Sequence, residues 1–137
     1  MTNSQPVKVL IDSDALIALV GSNDPNHDKA VKIYKKFTGA QIYLTNTTFG
    51  EVITALGRKV SREVSLVCLD YIASQAFGKI YLNELQTVEA EVFYRNQTSK
   101  KNTFFDCLNM AVAKTFGVDF IFSFDQGYEK NGFKLLK

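Results

Sequence analysis

Val7-Lys8-Val9-Leu10-Ile11 is a short apolar run that ends abruptly in Asp12-Ser13-Asp14. A second apolar run, Ala15 to Val20, follows with almost no loop between them. The pattern predicts a strand over 7–11 feeding directly into a helix over 14–20, stopped by Gly21. Ser22-Asn23-Asp24-Pro25-Asn26 is turn chemistry. Ala30, Val31, Tyr34 and Phe37 recur at helical spacing and predict a helix over 26–38, closed by Gly39. Gln41-Ile42-Tyr43-Leu44 reads as a second strand. Thr45-Asn46-Thr47-Thr48 then offers several caps to a third helix, whose apolar stripe is Phe49, Val52, Ile53, Leu56 and Val60. Thr48 and Glu51 have the spacing of a capping box.

The stretch 61–77 predicts a helix that is apolar on two sides. Val64, Val67, Cys68, Tyr71 and Ile72 lie on one side, and Leu66, Leu69 and Ala73 on another. Such a helix is broadly buried or meets a partner. Gly78 is read as its end. A third strand over 79–82 and a helix over 87–97 follow. Ser99-Lys100-Lys101-Asn102-Thr103 is a basic, polar loop. A helix from Phe104 or Phe105 to Phe116, a strand over 119–123, a short helical turn after Asp125 and a last strand over 132–136 complete the chain.

Strands alternating with helices imply right-handed crossovers and a mainly parallel sheet covered on both faces. The fold class is α/β, a three-layer α/β/α sandwich with four to five strands. At 137 residues the chain is one domain, 1–137, with residues 1–6 as a polar, flexible lead-in. Eleven Phe and six Tyr supply an ample core. A net charge of +2 is too small to announce a nucleic-acid ligand by itself, so any such role needs a local basic patch. Cys68 and Cys107 sit in helix-like apolar patterns and read as reduced core residues, not a disulfide framework. No apolar run approaches a membrane span, and the N-terminus lacks the build of a signal peptide, which together point to the cytoplasm.

Placed on this outline, four acids fall together. Asp12 lies just past the first strand, Glu51 in the first turns of the helix after the second, and Asp125 two residues past the fourth. Asp106 opens the helix that crosses over to the fourth strand. All four belong to the carboxyl edge of the sheet, where open α/β sheets bind ligands. Asp119 enters the fourth strand and belongs to the opposite edge. Each acid also has an ordinary structural reading, since Asp12, Ser13 or Asp14 can cap a helix and Asp106 suits a helix start. Four carboxylates on one edge would repel one another unless protonated or neutralised. A hard divalent cation with oxygen ligands neutralises them, and magnesium or manganese suits carboxylates better than zinc. The single His27 and the distant cysteines provide no zinc set.

The succession Val9 to Ile17, Thr47-Thr48-Phe49-Gly50-Glu51-Val52, Phe105-Asp106-Cys107-Leu108-Asn109-Met110-Ala111 and Ile121-Phe122-Ser123-Phe124-Asp125 resembles a PIN domain. It is especially similar to the stand-alone, VapC-type toxins, and the resemblance covers essentially the whole chain. That resemblance implies a metal-dependent endoribonuclease that leaves 5′-phosphate and 3′-hydroxyl ends. It implies Asp12, Asp106 and Asp125 as ligands of Mg2+ or Mn2+, directly or through water, and Glu51 as a holder of bound water. Ser123 matches a small hydroxyl residue that often precedes the last acid. Asp14 stands where the family more often has Asn or Ser, as an outer ligand or as a cap. Tyr128 replaces a common Phe, a change read as packing.

A polyanionic substrate needs cations around an acidic centre. Lys100 and Lys101 are the first choice for binding RNA, and Arg58, Lys59 and Arg62 form a second cluster. A toxin of a type II toxin–antitoxin system implies a cognate antitoxin, and the two-sided helix over 61–77 is compatible with a homodimer. Two rivals remain. Asp12-Ser13-Asp14 after an apolar strand also fits a haloacid-dehalogenase-like phosphatase, although Ser123-Phe124-Asp125-Gln126-Gly127 holds one acid where that family has a pair. The other rival is a non-cleaving module that binds RNA or protein through the same edge.

Overall fold

The computed structural model describes residues 5–137. Of the lead-in, residues 1–4 lie outside the described residues, and Gln5 and Pro6 are exposed and irregular. Four strands, β1 (Lys8–Ile11), β2 (Gln41–Thr45), β3 (Gly78–Ile80) and β4 (Phe120–Phe122), form one sheet. Their order is β3-β2-β1-β4 and every pairing is parallel. The helices are α1 (Ser13–Val20), α2 (His27–Lys36), α3 (Asn46–Lys59), α4 (Arg62–Ser74), α5 (Glu84–Arg95), α6 (Phe104–Val112) and α7 (Gly127–Lys130). Among the described residues no helix is long and apolar enough to cross a membrane.

β1 is covered on both faces, which is why it reads as an unbroken apolar run instead of an alternating one. Val9 and Ile11 point into a core shared with α1, α2, α3 and α4. Leu10, between them, points the other way, toward Met110 and Val112 of α6 and toward Tyr128 of α7. Cys68 and Cys107 are buried and unpaired, as expected for core residues.

Several boundaries differ from the expected ones, each for a local reason. The third helix is capped by Thr45, whose hydroxyl accepts from the Thr48 amide at 3.0 Å. Thr48 is therefore inside the helix, and the Thr48–Glu51 box is not formed. Glu51 is released from capping. Val60 lies beyond the end of α3 and is exposed. Gly78 does not end α4. The chain turns at Ala76, which takes a positive φ of 56°, and Gly78 opens β3. A Cβ at Gly78 would stand 2.5 Å from the Tyr43 ring, so close packing of two strands requires the glycine. The fifth helix begins earlier, at Glu84, because Asn83 and Gln86 form a capping box. The sixth ends at Val112 in a wider turn, Ala113–Gly117. The last strand, expected over 132–136, reduces to a single parallel bridge between Ile121 and Leu135.

This topology fixes where a ligand can sit. From β1 the chain moves outward to β2 and β3, and then returns to the other side as β4. The strand order reverses between β1 and β4, and a crevice opens there at the carboxyl edge.

Candidate active site

Asp12 leaves β1 at this crevice. Its own amide donates to the Phe122 carbonyl of β4 at 3.0 Å, so the ladder between the two strands extends to the acid. Its Oδ1 accepts from the Ser13 amide at 2.7 Å, which makes Asp12 the cap of α1. The cap and the candidate site are thus the same carboxylate. Asp12 is only 6% exposed.

Two further side chains hold it. Asn109 of α6 donates its Nδ2 to Asp12 Oδ1 at 3.0 Å and to the Tyr128 hydroxyl at 3.1 Å. Tyr128 donates its own hydroxyl to Asp12 Oδ2 at 2.7 Å. The Tyr128 oxygen also lies 3.4 Å from Asp106 Oδ1. A phenol has one proton, and the shorter distance assigns it to Asp12. The Asn109 Oδ1 accepts from Thr48 Oγ1 at 3.4 Å, and Thr48 Oγ1 accepts from Thr45. Thr45, Thr48, Asn109 and Tyr128 are each at most 1% exposed. One buried polar chain therefore joins the carboxyl ends of β2 and β1 through α6 to α7. No buried side-chain polar atom among the described residues lacks a partner.

Tyr128 is thus more than packing, and the expectation for it is corrected. Neither it nor Asn109 was assigned a site role from the sequence. The signal for Asn109 was a lone amide on the otherwise apolar stretch Cys107, Met110, Ala111 and Val112, all buried. Tyr128 gave none, because it lies in a four-residue helix too short to show a face.

Asp106 does two things. Its Oδ2 accepts from the Thr103 amide at 2.9 Å, and its own amide donates to Thr103 Oγ1 at 3.2 Å, a full capping box. Its Oδ1 faces the Tyr128 hydroxyl and Asp12. Asp14 is turned elsewhere. Its Oδ2 accepts from Ser123 Oγ at 3.1 Å and from the Phe124 amide at 2.9 Å, and its Oδ1 from the Ala15 amide at 2.7 Å. Asp14 and Ser123 together clamp the start of α1 to the end of β4. A carboxylate so committed is not the free acid that a phosphatase of the haloacid-dehalogenase type requires. Ser123 Oγ accepts from the Asp125 amide at 3.0 Å, and Asp125 Oδ1 accepts from the Gly127 amide at 2.8 Å. The clamp therefore positions Asp125.

Hydrogen bonds from Tyr128, Ser13, Ser123, Phe124, Ala15 and Thr103 hold the acids down in part, but burial and like charges prevail. Burial raises Asp12 to about 6, and the charges of Asp14 and Asp125 add to the rise. Burial raises Glu51 to about 7, with Asp12 and Asp106 contributing. Asp14 and Asp106 are raised as well, in both cases mainly by burial. No lysine or arginine offsets these shifts. The four predicted acids thus feel one another across the crevice, as the outline placed them.

Whether this set suits a metal can be tested on its donors. Among the described residues no three His, Cys, Asp or Glu side chains are gathered tightly enough to hold an ion entirely by protein ligands. Magnesium asks for less than that. It keeps several waters and binds through one or two carboxylates together with substrate phosphates. An all-oxygen set without a basic side chain against it, buried at Asp12 and half-buried at Asp106 and Asp125, fits such an ion in chemistry and charge.

The loop of the expected RNA-binding lysines leads into Asp106 through Thr103. Lys100 and Lys101 are exposed on the loop before α6, and neither makes an ion pair among the described residues. Asn102 and Gln97 brace that loop against Asn131, past the end of α7. Glu51 instead opens on a groove of about 590 Å3 that runs along α3 past Thr54 to Arg58 and Lys59, with Phe105 on its wall.

A family model described as the PIN domain matches residues 9–134. No curated protein matches the sequence. Among solved structures the fold is similar to that of VapC20 of Mycobacterium tuberculosis, a toxin that cleaves the sarcin-ricin loop. The TM-score is 0.82 at 18% identity, over 91% of this chain and 95% of that one. FitAcB from Neisseria gonorrhoeae gives a TM-score of 0.70 at 13% identity, over 94% and 96%. VapBC2 from Rickettsia felis, bound to a DNA fragment from its promoter, gives 0.67 at 11%, over 96% and 98%. At these identities the structural likeness establishes the fold.

Proposed function

The chain belongs to the PIN domain family, and from that premise we propose that it is a metal-dependent endoribonuclease, the toxin of a toxin–antitoxin pair. The observation that carries the proposal is the uncompensated acid set at the point where the strand order reverses between β1 and β4. Burial, with mutual repulsion added, holds Asp12 and Glu51 well above the ordinary carboxylate range. That cost has a use if a cation and a phosphate occupy the crevice.

Asp12, Asp106 and Asp125 would hold a magnesium or manganese ion, directly or through water. When bound, such an ion supplies an activated water and relieves charge on the phosphate. The chain's own groups do the rest. Tyr128 and Asn109 fix both oxygens of Asp12, so its carboxylate meets the ligand in one orientation. Asp14 and Ser123 hold the turn that carries Asp125. Glu51, half-buried, orients the attacking water and takes its proton at the carboxylate, a role suited to a group that titrates near neutrality.

The test is cleavage of single-stranded RNA by the purified protein with magnesium, with manganese and with chelator. Asp12→Asn and Asp106→Asn should each be inactive while folded. Equal cleavage by wild type and Asp12→Asn, or cleavage that survives chelation, would overturn the assignment.

The toxin role rests on fold similarity to VapC20 and to a toxin–antitoxin complex from Klebsiella pneumoniae. On this reading the chain acts in the cytoplasm, and a protein antitoxin covers the acidic edge. Leu85, Val88 and Val92 form an exposed apolar stripe on α5, and Leu66 and Val67 are exposed on α4. These faces suit a second copy of the chain in a homodimer. Growth arrest on expression, relieved by the neighbouring small gene product, would support the toxin role, and unimpeded growth would count against it.

A further inference from the structure

An acidic centre repels the polyanion it is meant to cut, so the substrate must be held by cations beside it. Lys100 and Lys101 were expected to do this. The structure offers a better-built alternative on the other flank of β4. A cleft of about 420 Å3 lies between α2 and the chain ends that follow β4 and the Ile121–Leu135 bridge. Its floor includes Ser123 and Phe124, and its rim carries Lys29, Lys32, Lys36 and Lys137.

Lys29, Lys32 and Lys36 recur at i, i+3 and i+7, so they form one row along α2. Ile33 on the same helix is buried and anchors this side against the core. All three lysines are exposed, and none is in an ion pair among the described residues. Lys137 is different, because it pairs with Glu129 at 3.3 Å. The only acid on α2 is Asp28, at its first turn.

The row is tied to the site at one end. The Lys29 ammonium sits 5.4 Å from the centre of the Phe124 ring. Phe124 immediately precedes Asp125, and its amide donates to Asp14. A strand held at the acids therefore meets Lys29 first and then Lys32 and Lys36, along about 10 Å of helix. Phe124 is half-buried, and its ring holds the Lys29 ammonium beside the turn that carries Asp125.

We propose that the α2 lysine row, with Phe124, is the path of the RNA strand on the Asp125 side of the site. Each of the three lysines contacts one backbone phosphate. The inference rests on the ribonuclease reading and names where its substrate lies. It also demotes Lys100 and Lys101: the cleft at their loop, about 300 Å3, is smaller and is lined by one lysine, Lys100.

The experiment measures binding, with cleavage kept as a separate readout. A fluorescent single-stranded RNA is titrated with protein in chelator, and the affinity is followed across salt concentrations. The variants are Lys29→Gln/Lys32→Gln/Lys36→Gln and, in parallel, Lys100→Gln/Lys101→Gln. Single strands lose about 0.7 of salt slope per phosphate contact, so the α2 variant should lower the slope by roughly 2. Its affinity near 0.1 M salt should fall roughly tenfold to hundredfold, and the loop variant should bind as wild type does. These are exposed side chains, and an unchanged thermal melt confirms that the variant is folded. A slope unchanged in the α2 variant overturns the path while wild-type cleavage leaves the ribonuclease reading standing. A wild-type protein that neither binds nor cuts RNA overturns both.

Discussion

Asp12→Asn should make the protein more stable and inactive at the same time. The wild-type carboxyl titrates near 6 in the folded chain, mainly because it is buried, against an ordinary value of 3.8. Below pH 3.8 both folded and unfolded chains hold the proton. Between about 4 and 6 the unfolded chain releases it first and the folded chain keeps it. The folded state then binds more protons, so stability falls as pH rises through this window and stays low above it. A rise of about two pH units corresponds to about 3 kcal/mol lost by pH 7.5. Asparagine removes the charge and keeps most of the geometry. Its Oδ1 still accepts from Ser13 and Asn109, and its amide can donate to the Tyr128 oxygen, which then turns its proton toward Asp106. Allowing for imperfect bonds, a net gain of about 1–3 kcal/mol is expected in chelator at pH 7.5, or about 4–10 °C in Tm. The assay is thermal melting of both proteins from pH 4 to 8, without and with magnesium. The wild-type curve should fall more steeply between pH 4 and 6 than that of the variant, in which Glu51, Asp14 and Asp106 still titrate, and magnesium should raise the wild type more. A variant that melts lower than wild type at pH 7.5, or that shares its pH slope, would refute the reasoning.

Other outcomes follow from the same geometry. Tyr128→Phe keeps the ring and removes the hydroxyl that fixes Asp12 Oδ2, so RNA cleavage should fall at least about tenfold while stability drops by only about 1–2 kcal/mol. Full activity would return Tyr128 to a packing role. Asn109→Asp places another carboxyl against Asp12 in a buried site, and urea unfolding should show a loss of about 2–4 kcal/mol at pH 7.5 that shrinks toward pH 5. Glu51 should titrate near 7 in carboxyl-detected NMR of the metal-free protein, and added magnesium should move its midpoint downward. A midpoint that ignores the ion would separate Glu51 from the metal.

Much of the site was legible in the sequence because parallel α/β order fixes which end of each strand an acid occupies. Asp12, Glu51, Asp106 and Asp125 needed only the element types around them. The structure brings all four to one crevice even though the Thr48–Glu51 box is not formed and α4 ends earlier than expected. A shift of two or three residues at a helix cap leaves a carboxylate on the same edge. The partners of the acids were not legible in this way. Asn109 meets Asp12 across 97 positions, and Tyr128 meets it across 116. Contacts of that span depend on how α6 and α7 settle on β1, which no local pattern encodes. Asp14 shows the same limit from the other direction. Its neighbour Asp12 suggested a catalytic pair, yet its carboxylate is consumed by Ser123 and Phe124 from β4. The lysine row was visible as i, i+3, i+7 spacing, but only the fold puts it beside Phe124.

The central claim is that the acid crevice hydrolyses RNA with a divalent cation. Mapping the ends of RNA cut by the purified wild-type protein tests it most directly. The account predicts 5′-phosphate and 3′-hydroxyl ends, formed with magnesium or manganese and absent with chelator or with Asp12→Asn. Ends bearing a 2′,3′-cyclic phosphate, formed equally in chelator, would contradict it.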